Sequence, residues 1–178
     1  MDTKRTVRKW EIIGFAVIAS LGAMMHFVFE WSGELPPIGV IAPVNESVFE
    51  HLKMPYWPAL FYAAIEYRQL KNYTKNFMVA KTASLFVMPV ATLAIFYAYT
   101  TITGTESLIA DIALFIVSVA LGQFAGYKIM TRNPLPASLY KAAIAGLAAL
   151  GIIYAVFTFY PPHLPIFLES ATGTYGIP

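Results

Sequence analysis

Four stretches of this sequence, Trp10–Trp31, Phe77–Thr100, Leu108–Met130 and Ala137–Tyr160, run with few charges for longer than the roughly 20 residues a bilayer core demands. A backbone in lipid must satisfy its own N–H and C=O groups, which runs of this length do as helices. They predict helices. Composition agrees, with 58 % hydrophobic and 12 % charged residues, against about 25 % charged in soluble domains.

A fifth run, Tyr56–Leu70, is about 15 residues, or roughly 22 Å as a helix, which falls short of a hydrocarbon core near 30 Å. Its natural extension is N-terminal, with Asn45 as helix cap and Glu46 in the first turn, where the helix dipole favours an anion. The expected architecture is therefore all-α, an integral membrane bundle of five transmembrane helices in a single domain, 1–178. The helices are expected at 10–31, 46–70 with a proline break at 55–58, 77–100, 106–130 and 137–160, followed by a structured C-terminal tail at 161–178. The first run ends in Phe27-Val28-Phe29-Glu30-Trp31 rather than a small-residue cleavage pattern, so it reads as a retained span.

Lysine and arginine set the orientation. They cluster in the N-terminal tail, after the second helix (Arg68, Lys71, Lys75) and after the fourth (Lys128, Arg132), while the opposite side has Lys53 alone. The N-terminus is expected in the cytoplasm and the C-terminus outside, in a multi-pass protein of the cell membrane. With 0 cysteines, thiolate metal sites, iron–sulfur clusters and thiol nucleophiles are excluded. The basic residues form no stripe with interleaved aromatics, which argues against nucleic-acid binding.

Against this apolar background the histidines stand out. His26, His51 and His163 all fall on the expected outer side, accompanied by Glu30, Glu46, Glu50 and Glu169. Residues four apart share a helix face, so His26 with Glu30, and Glu46 with Glu50, each present two donors in one direction. A lone polar group at a helix end is usually solvated or snorkelling, but three such clusters at one depth favour a shared site. Imidazole plus carboxylate is the ligand set of zinc, manganese and non-haem iron. The expected metal ligands are His26, His51, His163, Glu46 and Glu169 around a divalent transition metal, zinc first, with Glu50 and Glu30 as the catalytic carboxylates.

Asp111 lies about one turn inside the fourth helix and is a further candidate. Glu66, Arg68 and Lys81 near the cytoplasmic face read as structural pairs or headgroup contacts. Pro89 predicts a kink in the third span. Gly122 and Gly126 form a GxxxG pattern suited to close helix packing and to helix-mediated oligomerisation. The tail contains Pro161, Pro162 and Pro165 to stiffen it and Ile166, Phe167 and Leu168 to bury, so it is expected to fold back toward the first two helices with His163.

The stretches "HFVFEWSG", "PVNESVFEHLK" and "PPHLPIFLESATGTYGIP" resemble an uncharacterised family of small polytopic prokaryotic membrane proteins, a domain of unknown function, over most of the chain. The resemblance implies no activity. Function is expected from the site: a metal-dependent membrane hydrolase acting at the bilayer on a lipid or lipid-linked substrate. An accessory or structural subunit and a quinone- or haem-binding protein stand as alternatives, and a small-solute or ion transporter is disfavoured by five unequal helices without a visible repeat.

Overall fold

The computed structural model describes residues 2–177, so Met1 and Pro178, the extreme ends of the expected topology, lie outside the described residues. The chain is all-α, with helices α1 (Thr3–Trp31), α2 (Val48–His51), α3 (Lys53–Leu70), α4 (Phe77–Thr103), α5 (Leu108–Met130) and α6 (Ala137–Phe159). Short 3₁₀ turns lie at Pro36–Val40, between α1 and α2, and at Pro165–Phe167, after α6. Helix α1 packs on α3 and α5, α4 packs on α5, α6 and α3, and the main core gathers Ile18, Tyr56, Tyr62, Met88, Val119 and Tyr154 between them.

Four helices, α1, α4, α5 and α6, are long and apolar enough to cross a membrane. Helix α3 is not among them. Its 18 residues reach about 27 Å, but they include Lys53 and Glu66, both buried in ion pairs against neighbouring helices. Pairing hides these charges inside the bundle.

The break expected at 55–58 lies instead at Leu52, between α2 and α3. Pro55 stands in the first turn of α3, where backbone N–H groups have no intrahelical partner to lose. Pro58 lies inside α3 and cannot donate to the carbonyl of Met54 one turn back. That carbonyl faces α1 at Gly22, where an added Cβ would sit 3.0 Å from the oxygen. Asn45, expected as a helix cap, is replaced in that role by Ser47, whose hydroxyl accepts from Glu50 N. Asn45 instead accepts from Ser47 N and donates to the Gly176 carbonyl at 2.7 Å.

Gly122 and Gly126, expected to join copies of the chain, are buried within it. A Cβ on Gly122 would lie 2.5 Å from Met88 Cγ and one on Gly126 would lie 2.6 Å from Ser84 Oγ, so the pair seats α5 directly on α4. Opposite the His26 end, Asn76 ties two connections together, donating to the carbonyls of Ile129, Arg132 and Asn133 and accepting from Leu135 N.

Candidate metal centre

Two elements bring the donors together. Helix α1 carries His26 near its end, and the α1–α3 connection folds back so that Glu46 and His51 stand beside it. His26 Nε2 lies 3.6 Å from Glu46 Oε1, and His51 Nε2 lies 3.4 Å from Glu46 Oε2. The imidazole rings are 5.4 Å apart. One donor atom from each of the three residues falls within 4.8 Å of the other two. A tetrahedral sphere with bonds of roughly 2.0–2.1 Å places its donors about 3.3 Å apart, so contraction by at most about 1.5 Å along any edge of the triad would close it.

The second nitrogen of His51 is fixed as well. Its Nδ1 lies 2.9 Å from the Ser47 carbonyl, which as an acceptor selects the Nδ1–H tautomer. Nε2 is therefore the nitrogen that faces Glu46 and His26, donating to Glu46 while protonated and offering its lone pair once that proton is lost. A backbone carbonyl in this position is the usual outer partner of a metal-ligating histidine.

Electrostatics couples the pair. Burial opposes charge on His51, but the Glu46 carboxylate and the Ser47 carbonyl outweigh it, and Asp111 adds to them, so the imidazole pKa is raised. Glu46 is held below the usual carboxylate range, first by its hydrogen bond with His51 and, against some burial, by the charges of His51 and His26.

The three residues border a cavity of about 670 Å³ between α1, the α2–α3 segment, α4 and α5. Its walls are largely apolar, with Phe96 and Phe115 among them, and Glu106 and Asp111 are its other acids. Tyr99 donates to Asp111 Oδ1 and so orients that carboxylate. Phe27, Leu108, Ile112 and Ile116 belong both to the cavity wall and to the exposed surface, which makes the cavity continuous with the outer apolar face of the bundle.

The remaining sequence candidates are placed elsewhere. Glu30 is exposed at the end of α1, and the partner of His26 is Glu46. Glu50 is 2 % exposed and faces Lys53 and Thr158 instead of the triad. It forms an ion pair with Lys53 and accepts from Val44 N at 3.0 Å and from the Thr158 hydroxyl at 3.0 Å. Lys53 in turn donates to the Gly39 carbonyl and to Thr158 Oγ1. A carboxylate so fully engaged holds the connection in place. The tail does fold back, with the Phe167 ring 4.5 Å from that of Phe49, but His163 stacks on Tyr175 within the tail itself. Glu169 accepts from Thr172 in an exposed turn.

Residues 1–177 match the model of a family of unknown function, DUF6512. The chain belongs to that family. No curated protein and no solved structure matches this DUF6512 chain significantly. Its site is therefore read from geometry. Two residues escaped the sequence reading: Ser47, whose role rests on a backbone carbonyl that any residue carries, and Tyr99, which looks like one more aromatic of an apolar helix.

Proposed function

We propose that this chain is a multi-pass membrane protein with five helices crossing the bilayer, its N-terminus cytoplasmic, and a metal-dependent hydrolase of a lipid-like ester or amide at its extracytoplasmic end. The observation that carries the reading is the His26–Glu46–His51 triad, with donor atoms within 4.8 Å of one another. Two histidines, one glutamate and an open fourth position are a ligand set used by catalytic zinc. The bound metal would supply a water acidified toward neutral pH. Asp111, oriented by Tyr99 on the wall of the same cavity, would accept a proton from the attacking water and would donate it to the leaving oxygen or nitrogen of the ester or amide. The acyl chain would enter from the bilayer, past Phe27 and Ile112, into the apolar cavity. Glu50 and Glu30, the carboxylates first expected to act, have no place in this chemistry because one is engaged with Lys53 and the other is exposed away from the cavity.

Metal analysis of protein purified without chelator tests the first half, and release of free acid from ester- or amide-linked lipids in the same detergent tests the second. One zinc per chain, lost in His26→Ala and His51→Ala, with turnover abolished in Asp111→Asn but metal retained, is the expected result. Protein free of zinc, manganese and iron would overturn the reading. A full metal complement with no hydrolysis of any acyl lipid would leave the metal site standing and remove the hydrolase.

A further inference from the structure

At the other end of the bundle, about 22 Å along α1 from His26, three ionisable side chains meet where little solvent reaches them. Lys81 Nζ of α4 lies 2.9 Å from Glu11 Oε1 of α1 and 2.6 Å from Glu66 Oε2 of α3. The three side chains are 7 %, 5 % and 0 % exposed, in that order. Gly126 of α5 makes room for the Glu11 carboxylate, since a Cβ there would sit 2.9 Å from Oε1. Gln123 donates to the Glu11 backbone carbonyl and the Tyr62 hydroxyl to that of Trp10, which closes the site from α5 and α3.

The charges do not balance. Two carboxylates face one ammonium, and among the described residues no other lysine, arginine or histidine lies within ion-pair distance of either acid. The titratable groups turned toward the site are Glu11 from α1, Glu66 and the neutral phenol of Tyr62 from α3, and Lys81 from α4, while Gln123 and Gly126 border it from α5. Moreover, Glu11 Oε2 and Glu66 Oε1 are buried without a hydrogen-bond partner, and Glu66 Oε2 meets Lys81 as an ion contact rather than an aligned hydrogen bond. A buried excess carboxylate neutralises itself rather than remaining charged. Two acids that cannot both ionise share a proton.

We propose that Glu11, Glu66 and Lys81 form a buried proton-binding site that holds one exchangeable proton between the two carboxylates near neutral pH. The proton supplies the donor that the unpartnered oxygens lack, and Lys81 stays charged against the remaining carboxylate. This site is independent of the metal reading, because it shares no residue with that centre.

The infrared carboxylic-acid C=O stretch of the full-length protein in lipid nanodiscs, identified by its downshift in D₂O, tests the stoichiometry. Wild type should show one protonated carboxyl per chain in this region. Glu11→Gln and Glu66→Gln should each lose it, because the surviving acid then pairs one-to-one with Lys81. Lys81→Met should double it, since neither acid then has a counter-charge. Absence of the band in wild type would overturn the proposal, as would its survival in either glutamine variant. A band that emerges only when sodium is withdrawn would also overturn it and make this a cation site. The wild-type and glutamine spectra decide the question even if Lys81→Met does not fold.

Discussion

His51 Nδ1 lies 2.9 Å from the carbonyl of Ser47, the residue that caps the N-terminus of the same short helix. The backbone of α2 thus decides which imidazole nitrogen faces Glu46 and His26. Preset tautomers of this kind lower the reorganisation a ligand must undergo before it can bind a metal. Replacing His51 by Ala should lower zinc affinity by more than the roughly 10–100-fold that loss of an outer partner typically costs. Competition titration with a chromophoric chelator measures it, with Glu169→Gln unchanged as the control.

The two shifted groups set the pH dependence. His51 is raised, so without metal its contact with Glu46 contributes stability below the ordinary imidazole pKa and loses it as pH rises through the raised value. Glu46 is lowered, so its share is present above the ordinary carboxylate pKa and is lost as pH falls through the depressed value. Zinc requires neutral His51, so binding expels its proton. Apparent affinity should rise by at least about tenfold per pH unit below the raised His51 pKa, since His26 must be neutral as well, and flatten above it. The zinc-induced rise in Tm should follow the same course.

Lys53 and Glu50 test whether their buried ion pair is a structural tie. Lys53→Met leaves Glu50 buried without its counter-charge and should cost about 3–5 kcal/mol. Adding Glu50→Gln should recover part of that loss, and Thr158→Val alone should cost about 1–3 kcal/mol by orphaning its partners. Chemical unfolding in detergent supplies these values; a double variant less stable than Lys53→Met would contradict the assignment.

Gly122 offers a packing test. A Cβ there would meet Met88 at 2.5 Å and the Ser84 carbonyl at 3.0 Å, and a backbone atom cannot swing away. Gly122→Ala should destabilise the chain by about 1–3 kcal/mol and leave its oligomeric state unchanged, as read by light scattering. A change of oligomeric state without loss of stability would return this glycine to an intermolecular role.

The long helices were legible because apolar length is a local property that four uninterrupted runs display directly. The break in the second segment was not. Proline marks where a helix can lose a hydrogen bond, but Pro55 sits where no bond is lost, and the discontinuity at Leu52 follows from the Glu50–Lys53 tie to Thr158, 108 positions from Glu50. The same limit divided the site. His26, Glu46 and His51 were recognisable as donors at one depth, yet depth does not specify azimuth. Glu50 precedes His51 by one residue, which on a helix turns it about 100° away and gives it to a different set of partners. Glu11 was passed over beside Lys81 because they are 70 positions apart and joined only by helix packing.

The bond between Asn45 and the Gly176 carbonyl joins residues 131 positions apart. Ile177 likewise packs with Phe29, Ala42 and Val44 of the connection that carries Glu46. During synthesis, then, the loop that presents Glu46 and His51 to His26 waits for residues made after all six helices. All six helices can form with that loop still open, and holding it closed requires the tail. A nascent chain halted after α6 would therefore carry every donor of the candidate centre while lacking the latch that holds the loop against α1.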